Sequence, residues 1–268
     1  MSSPSEAHSY HIPGQDIDIS DLIDRTAGIQ LPETKRSELI VIMAGGFGMR
    51  MMPLTKQVPK PMLPIRSRPI LEHIMAQMIG QGFCRFVFAV RHMSVQISEY
   101  FGDGSKWGVD ISYIEEPHRL GTGGGLAYLE ERPDLPFIVA NADLLTDLDY
   151  RKVLAFHSAD SAVTMCTRQA EFQVPYGVVE TDGETVKSVV EKPTQSVTIS
   201  AGMYAVSPKL IDLIDKGEQV DMPDLIQRAI EAGMNVQSMG VSDRWVDVGR
   251  RDTYQRVVEA LENGCSET

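Results

Sequence analysis

The chain has 268 residues, a net charge of −12 and a hydrophobic fraction of 43%, a composition ordinary for a globular protein. Three widely spaced cysteines, Cys84, Cys166 and Cys265, exclude a disulfide framework and a zinc-ligand spacing. No apolar run is long enough to span a bilayer, and the N-terminus lacks the basic and apolar regions of a signal peptide, so a cytoplasmic protein with no membrane partner is expected.

Residues 1–37 read as a solvated lead-in, with Ser3-Pro4-Ser5, Pro13-Gly14 and Asp16-Ile17-Asp18 as its punctuation. A short helix within Asp18–Ile29 would place Ile19, Leu22 and Ile23 on one side. A single domain is expected over residues 38–268. It opens with the apolar run Leu39–Met43, which has the pattern of a buried parallel strand. The pattern then predicts a helix over 69–81, a strand over 86–90, a helix over 95–101, a strand over 109–114, a helix over 125–131 and a strand over 136–140. Strands alternating with helices imply a parallel sheet covered on both faces. The second half is more strand-like, over 162–166, 177–180, 186–190 and 197–206, with helices over 223–232 and 252–262. The fold class expected is α/β: a Rossmann-like open, mostly parallel sheet with helices on both faces and a mixed C-terminal extension. Ligands of such sheets sit beyond the carboxyl ends of the strands, which points to the loops 44–55 and 141–149.

The acidic balance argues against nucleic acid as a partner. One stretch runs the other way. Between Leu39 and Leu71 there is no Asp or Glu, while Arg50, Lys56, Lys60, Arg66 and Arg68 all fall there. Such a basic island is too small for a duplex and suits a nucleoside triphosphate. Ala44-Gly45-Gly46-Phe47-Gly48-Met49-Arg50 follows the first strand directly, and glycines let backbone N–H groups approach an anion closely. The loop is neither a P-loop, which ends in Gly-Lys-Ser/Thr, nor a dinucleotide fingerprint, which needs a third glycine. The prolines of Pro53-Leu54-Thr55 and Pro59-Lys60-Pro61 suggest an extended segment with Arg50 and Lys60 at its ends, able to curl around a triphosphate. Arg offers a planar fork to phosphate oxygens and Lys a compact charge.

The run from Met43 to Pro64 resembles the signature of sugar-1-phosphate nucleotidyltransferases. It departs from that signature at Met49, where the family usually has Thr. The resemblance continues in order through Leu120-Gly121-Thr122-Gly123-Gly124, Asn141-Ala142-Asp143, Tyr176-Gly177-Val178-Val179, Glu191-Lys192-Pro193, Ala201-Gly202-Met203-Tyr204 and Trp245-Val246-Asp247-Val248-Gly249. It implies an enzyme that joins a nucleoside triphosphate to a sugar-1-phosphate and releases pyrophosphate, with Mg²⁺ as cofactor and a homo-oligomer as a family-level expectation. Mg²⁺ favours one or two carboxylates plus phosphate oxygens, and the resemblance places Asp143 and Asp247 on the metal. It puts Ala44, Gly45, Gly46, Gly48, Gly121 and Thr122 on the nucleotide, and Arg50 and Lys60 at the reacting phosphates. Gly177, Glu191, Lys192 and Gly202 fall to the sugar phosphate. Asp147 and Asp149 read as a loop residue and a helix N-cap.

Counting back from Gly121, Glu116 stands where uridylyl- and thymidylyl-transferring relatives resemble one another in having Gln. A carboxylate only accepts hydrogen bonds, and guanine offers adjacent donors at N1 and the 2-amino group, so Glu116 favours GTP over the alternative of a solvated Glu beside Glu115. Within the family, the runs Phe172–Val179 and Val220–Pro223 most resemble guanylyltransferases of the legionaminic acid pathway, which act on glucosamine- or N-acetylglucosamine-1-phosphate. The resemblance also implies paired CBS modules ahead of such a domain. Only the short lead-in precedes it here, so that regulation is expected to be absent or carried on another chain. Mannose-1-phosphate guanylyl transfer, uridylyl or thymidylyl transfer, and a non-catalytic nucleotide-sugar sensor are the alternatives.

Overall fold

The computed structural model describes residues 10–11 and 19–263; residues 1–9 and 12–18 of the lead-in, and Cys265, lie outside them. β1 (Tyr10–His11) and helix α1 (Ser20–Arg25) precede β2 (Arg36–Met43), which is the first expected strand with three residues added at its start. β2 is apolar along its whole inner length because both its faces are covered. Ile40 and Ile42 pack into one core, Leu39 and Val41 into the other, as the two-residue period of a strand requires.

The segment from Arg50 to Lys60 is folded rather than extended. It forms three single turns of 3-10 helix, Met49–Met51, Leu54–Lys56 and Lys60–Met62. Proline fixes φ near the helical value and is tolerated at the start of a short helix, and Pro61 lies within the third turn. A ladder of β3 (Pro64–Ile65) and β4 (Arg68–Pro69) leads into α2 (Ile70–Gly80). β5 (Phe83–Val90), α3 (Ser94–Phe101) and β6 (Asp110–Glu115) follow as expected. The helix expected over 125–131 is instead a 3-10 segment, Gly124–Tyr128. A Cβ on Gly124 would strike the Glu218 carbonyl, so close packing, not helix propensity, shapes this stretch.

The chain continues through β7 (Phe137–Asn141), β8 (Leu144–Thr146) and α4 (Tyr150–Phe156), whose first turn is capped by Asp149 accepting from the Arg151 amide at 3.0 Å. β9 (Ser161–Gln173), β10 (Gly177–Asp182), β11 (Thr185–Glu191) and β12 (Thr194–Val206) come next. α5 (Met222–Glu231), β13 (Asn235–Gly240), β14 (Trp245–Asp247) and α6 (Arg251–Asn263) complete the fold.

The main sheet has the order β1-β9-β12-β7-β2-β5-β6, with β13 beside β9. β7, β2, β5 and β6 are parallel, β12 joins β7 antiparallel, and β9 joins β12 antiparallel. This is the mostly parallel α/β sheet with a mixed extension that the pattern predicts. α2, α3 and α6 pack on one face and α5 on the other. The order reverses beside β2, with β5 and β6 to one side and β7 to the other. Strand ends diverge at such a reversal and leave a crevice.

Two parts stand apart from this plan. α1 docks through buried Ile19, Leu22 and Ile23. Arg66 pairs with Asp24, Arg68 donates to the Thr26 carbonyl at 2.6 Å, and Arg244 reaches Asp21 at 3.2 Å. Arg66 and Arg68, two cations of the basic island, therefore hold the N-terminal segment rather than a phosphate. Among the described residues the β10–β11 hairpin pairs only with itself, and residues 175–192 are exposed throughout. Among the described residues no helix is long and apolar enough to cross a membrane.

Candidate active site

A cavity of about 440 Å³ opens at the carboxyl ends of the parallel strands. Ala44, Gly45, Gly46, Gly48, Arg50, Lys60, Glu116, Gly121, Thr122 and Asp143 all line it. Residues far apart in the chain meet there because β2, β5, β6 and β7 end on the same side.

The glycine loop is shaped by specific neighbours. Gly48 has φ +62°, a conformation that costs other residues energy. A Cβ there would also lie 2.9 Å from Thr55 Cγ2. The Thr55 hydroxyl donates to the Gly48 carbonyl at 2.9 Å, which fixes the turn. Gly46 would meet nothing within 4 Å, so its backbone is open to a ligand. A Cβ on Gly45 would fall 2.9 Å from Glu116 Oε2, and one on Gly125 3.2 Å from Oε1. The Glu116 carboxylate thus fits in a slot that two glycines leave open. Burial raises its pKa, opposed by the Leu120 amide and the charges of Arg91 and His118.

The second glycine segment is pinned from behind. The amides of Gly123 and Gly124 both donate to the Val220 carbonyl, at 2.9 and 3.1 Å. The Thr122 hydroxyl is within 3.3 Å of Asp221 Oδ1 and accepts from the Met222 amide at 2.9 Å. Its side chain therefore serves the start of α5, and its backbone amide donates to Asp221 Oδ1 at 2.9 Å.

Asp143 and Asp247 are brought together by a device with no sequence signature, the two three-residue strands β8 and β14. Their register pairs Asp247 with Leu144, and the Val248 amide donates to the Asp143 carbonyl at 2.9 Å. A Cβ on Gly249 would lie 2.6 Å from Asp143 Oδ2 and from Asp247 Oδ1, and 2.7 Å from Lys60 Nζ. Lys60 is paired with Asp143. Burial, and then the neighbouring Asp143 carboxylate, push the Asp247 carboxyl above the usual range, as expected for acids sharing one space. Two carboxylates around a gap only glycine can leave, with an ammonium already paired to Asp143, form a donor set that suits Mg²⁺. Among the described residues no group of three or more His, Cys, Asp or Glu side chains could hold a metal, so phosphate oxygens and water would complete the shell.

The candidates for the sugar phosphate are placed differently. Gly177 and Glu191 face each other at the base of the β10–β11 hairpin, and Lys192 follows with φ +47°. None of the three lines the cavity. Gly202 sits at the register break of β12 with φ +72°. A Cβ there would lie 2.7 Å from Asn141 Nδ2, so Gly202 backs a residue that lines the cavity. Lys56 is exposed and does not line it either. Phe47, Asp221 and Gly249, which stood within sequence motifs without an assigned role, also line the cavity, as do Arg91 and Arg119, which lie outside those motifs. Arg91 carried a usable signal, since it directly follows a predicted buried strand.

The sequence matches the family described as nucleotidyl transferase over residues 39–264, and the chain belongs to that family. It is similar to a mannose-1-phosphate guanylyltransferase of Mycobacterium tuberculosis, with 33% identity over 84% of this chain and 65% of the relative. It is also similar to a UTP–glucose-1-phosphate uridylyltransferase of Synechocystis, with 31% identity over 82% of this chain and 62% of the relative. The chain thus spans slightly less than two thirds of these curated relatives. Among solved structures, HddC from Yersinia pseudotuberculosis matches with TM-score 0.63 and 26% identity, over 83% of this chain and 98% of that one. HddC complexed with GMP-PN matches with TM-score 0.60.

Proposed function

We propose that the protein transfers a nucleotidyl group from a nucleoside triphosphate, GTP by preference, to a hexose-1-phosphate, releasing pyrophosphate and forming a nucleotide sugar. Support comes above all from one arrangement: an open glycine loop, Arg50, Lys60 and Asp143 line one cavity at the sheet reversal, and Asp247, which does not itself line it, stands beside Asp143 at Gly249. The acceptor is read as glucosamine- or N-acetylglucosamine-1-phosphate. An oxygen of the sugar phosphate attacks the α-phosphorus in line. The bond from that phosphorus to the bridging oxygen breaks, and its electron pair leaves with pyrophosphate. The nucleophile is already an anion, so no protein base is required. Arg50 and Lys60 neutralise the departing charge, and such preorganised contacts are worth about a hundredfold each in rate. Asp143 and Asp247 would hold Mg²⁺, which supplies charge neutralisation and orientation of the phosphates when bound. Glu116 accepts from the N1–H and 2-amino groups of guanine. The HddC complex with GMP-PN and the guanylyltransferase relative favour the same base.

Uridylyl transfer is the second reading, favoured by the Synechocystis relative, and mannose-1-phosphate is the second acceptor, favoured by the Mycobacterium relative. The test is pyrophosphate release with Mg²⁺, pairing GTP, UTP, dTTP, CTP and ATP with glucosamine-1-phosphate, N-acetylglucosamine-1-phosphate and mannose-1-phosphate. Turnover with GTP above the others supports the reading. Turnover with UTP or dTTP keeps the reaction and removes the guanine assignment. Silence in every pairing overturns the enzyme reading in favour of a nucleotide-sugar sensor.

A further inference from the structure

β5 and β6 are adjacent and parallel, with Val90 opposite Glu115, and the Glu116 amide donates to the Val90 carbonyl at 2.9 Å. The next residue on β5 is Arg91. A cation and an anion thus stand at the ends of neighbouring strands, about 4.8 Å apart by sheet spacing, and both line the cavity. Arg91 acts on Glu116 through its charge without a hydrogen bond between them. Its guanidinium lies over the Phe47 ring, 4.7 Å from the centroid, and Phe47 in turn lies 4.8 Å from the His92 ring. Arg91 Nη1 is buried and has no hydrogen-bond partner among the described residues. An unpaired buried guanidinium nitrogen is costly, and the stack on Phe47 holds the group in place.

Guanine presents its donors, N1–H and the 2-amino group, beside two acceptors, O6 and N7. Arg is the side chain whose fork matches O6 and N7 together. Resting on the guanylyl reading of Glu116, we infer that Arg91 is a specificity residue that donates to O6 and N7 of the base while Glu116 takes the donor edge. Neighbouring strand ends would then read adjacent edges of one purine. Uracil and thymine have no counterpart of N7, and adenine presents an amino group in place of O6, so Arg91 discriminates against all three.

The test compares the full-length wild type with Arg91→Met, which keeps an unbranched side chain over Phe47, and with Arg91→Gln, which keeps one donor. Pyrophosphate release is measured with GTP, 7-deaza-GTP, which lacks N7, and inosine triphosphate, which lacks the 2-amino group. Thermal midpoints check folding. The wild type is expected to prefer GTP to 7-deaza-GTP by about tenfold in kcat/KM. Arg91→Met is expected to use the two equally and Arg91→Gln to fall between, while the preference for GTP over inosine triphosphate persists in both because Glu116 reads that group. If Arg91→Met slows every nucleotide by one common factor, Arg91 contacts phosphate and the inference is overturned. It is overturned equally if the wild-type ratio of GTP to 7-deaza-GTP survives in Arg91→Met. A wild type that prefers UTP to GTP removes the guanylyl reading itself, and does so before any variant is made.

Discussion

Around the Glu116 carboxylate, two glycines leave a slot of fixed width, and the segment forming one wall is tied to Val220, Asp221 and the start of α5. Residues 175–192, by contrast, form a ribbon open on both faces, with Val179, Val189 and Val190 at least half exposed. The first region is anchored to the body on every side; the second is joined to it only through β9 and β12. A two-stranded ribbon by itself is marginal in water. The contrast teaches that the end of the cleft proposed for the nucleotide is prepared by the chain's own packing. The hairpin, proposed as the acceptor end, has no such support from the body among the described residues.

The sharpest way to break that comparison is at the carboxylate pair. Asp143→Asn is expected to lower turnover by about a thousandfold while changing the unfolding midpoint little, since relief of the shared space with Asp247 offsets the lost ion pair with Lys60. A loss below tenfold in steady-state assays would remove the metal assignment. Next comes the hairpin. Lys192→Met is expected to reduce kcat/KM for the sugar phosphate by about a hundredfold, with nucleotide affinity by calorimetry unaltered. Wild-type kinetics in that variant would free the hairpin from any role at the acceptor. Gly48→Ala tests the prepared end. The positive φ and the contact with Thr55 are expected to cost about 2 kcal/mol, read as a lowered urea midpoint, together with weaker nucleotide binding. Smallest is Val189→Ala, on a side chain that is 63% exposed. It is expected to change stability by less than about 0.5 kcal/mol. A loss of about 2 kcal/mol in the same urea titration would show that the ribbon is covered in solution.

Much of the prepared end was legible because it rests on backbone needs. Gly45 and Gly48 are glycines for reasons of space and φ, and such needs leave a mark in the sequence. Asp143 was legible as the residue beyond a buried strand. The direction of a side chain leaves no such mark. Arg66 and Arg68 add to a basic island in sequence and turn toward Asp24 and Thr26 in space. β8 and β14 were illegible because three residues carry no period. The valines of the hairpin predict the strand but not its surroundings, since a run such as Val186–Val190 reads as strand whether or not anything covers it. Arg91 and Phe47 came together only in space, because no spacing announces a ring-and-guanidinium stack between two strand ends.

Lys60 already rests against Asp143, beside Asp247. On the proposed metal role, Asp143 is not free for a divalent ion until that ammonium is drawn off, and triphosphate oxygens are a partner able to draw it; Asp247 Oδ1 accepts from the Gly249 amide at 2.7 Å. Under that proposal nucleotide and metal would be coupled through one lysine, and each would raise the affinity for the other by the same factor. The free protein would hold Mg²⁺ weakly and the nucleotide-loaded protein firmly, which sets an order of addition without any moving lid.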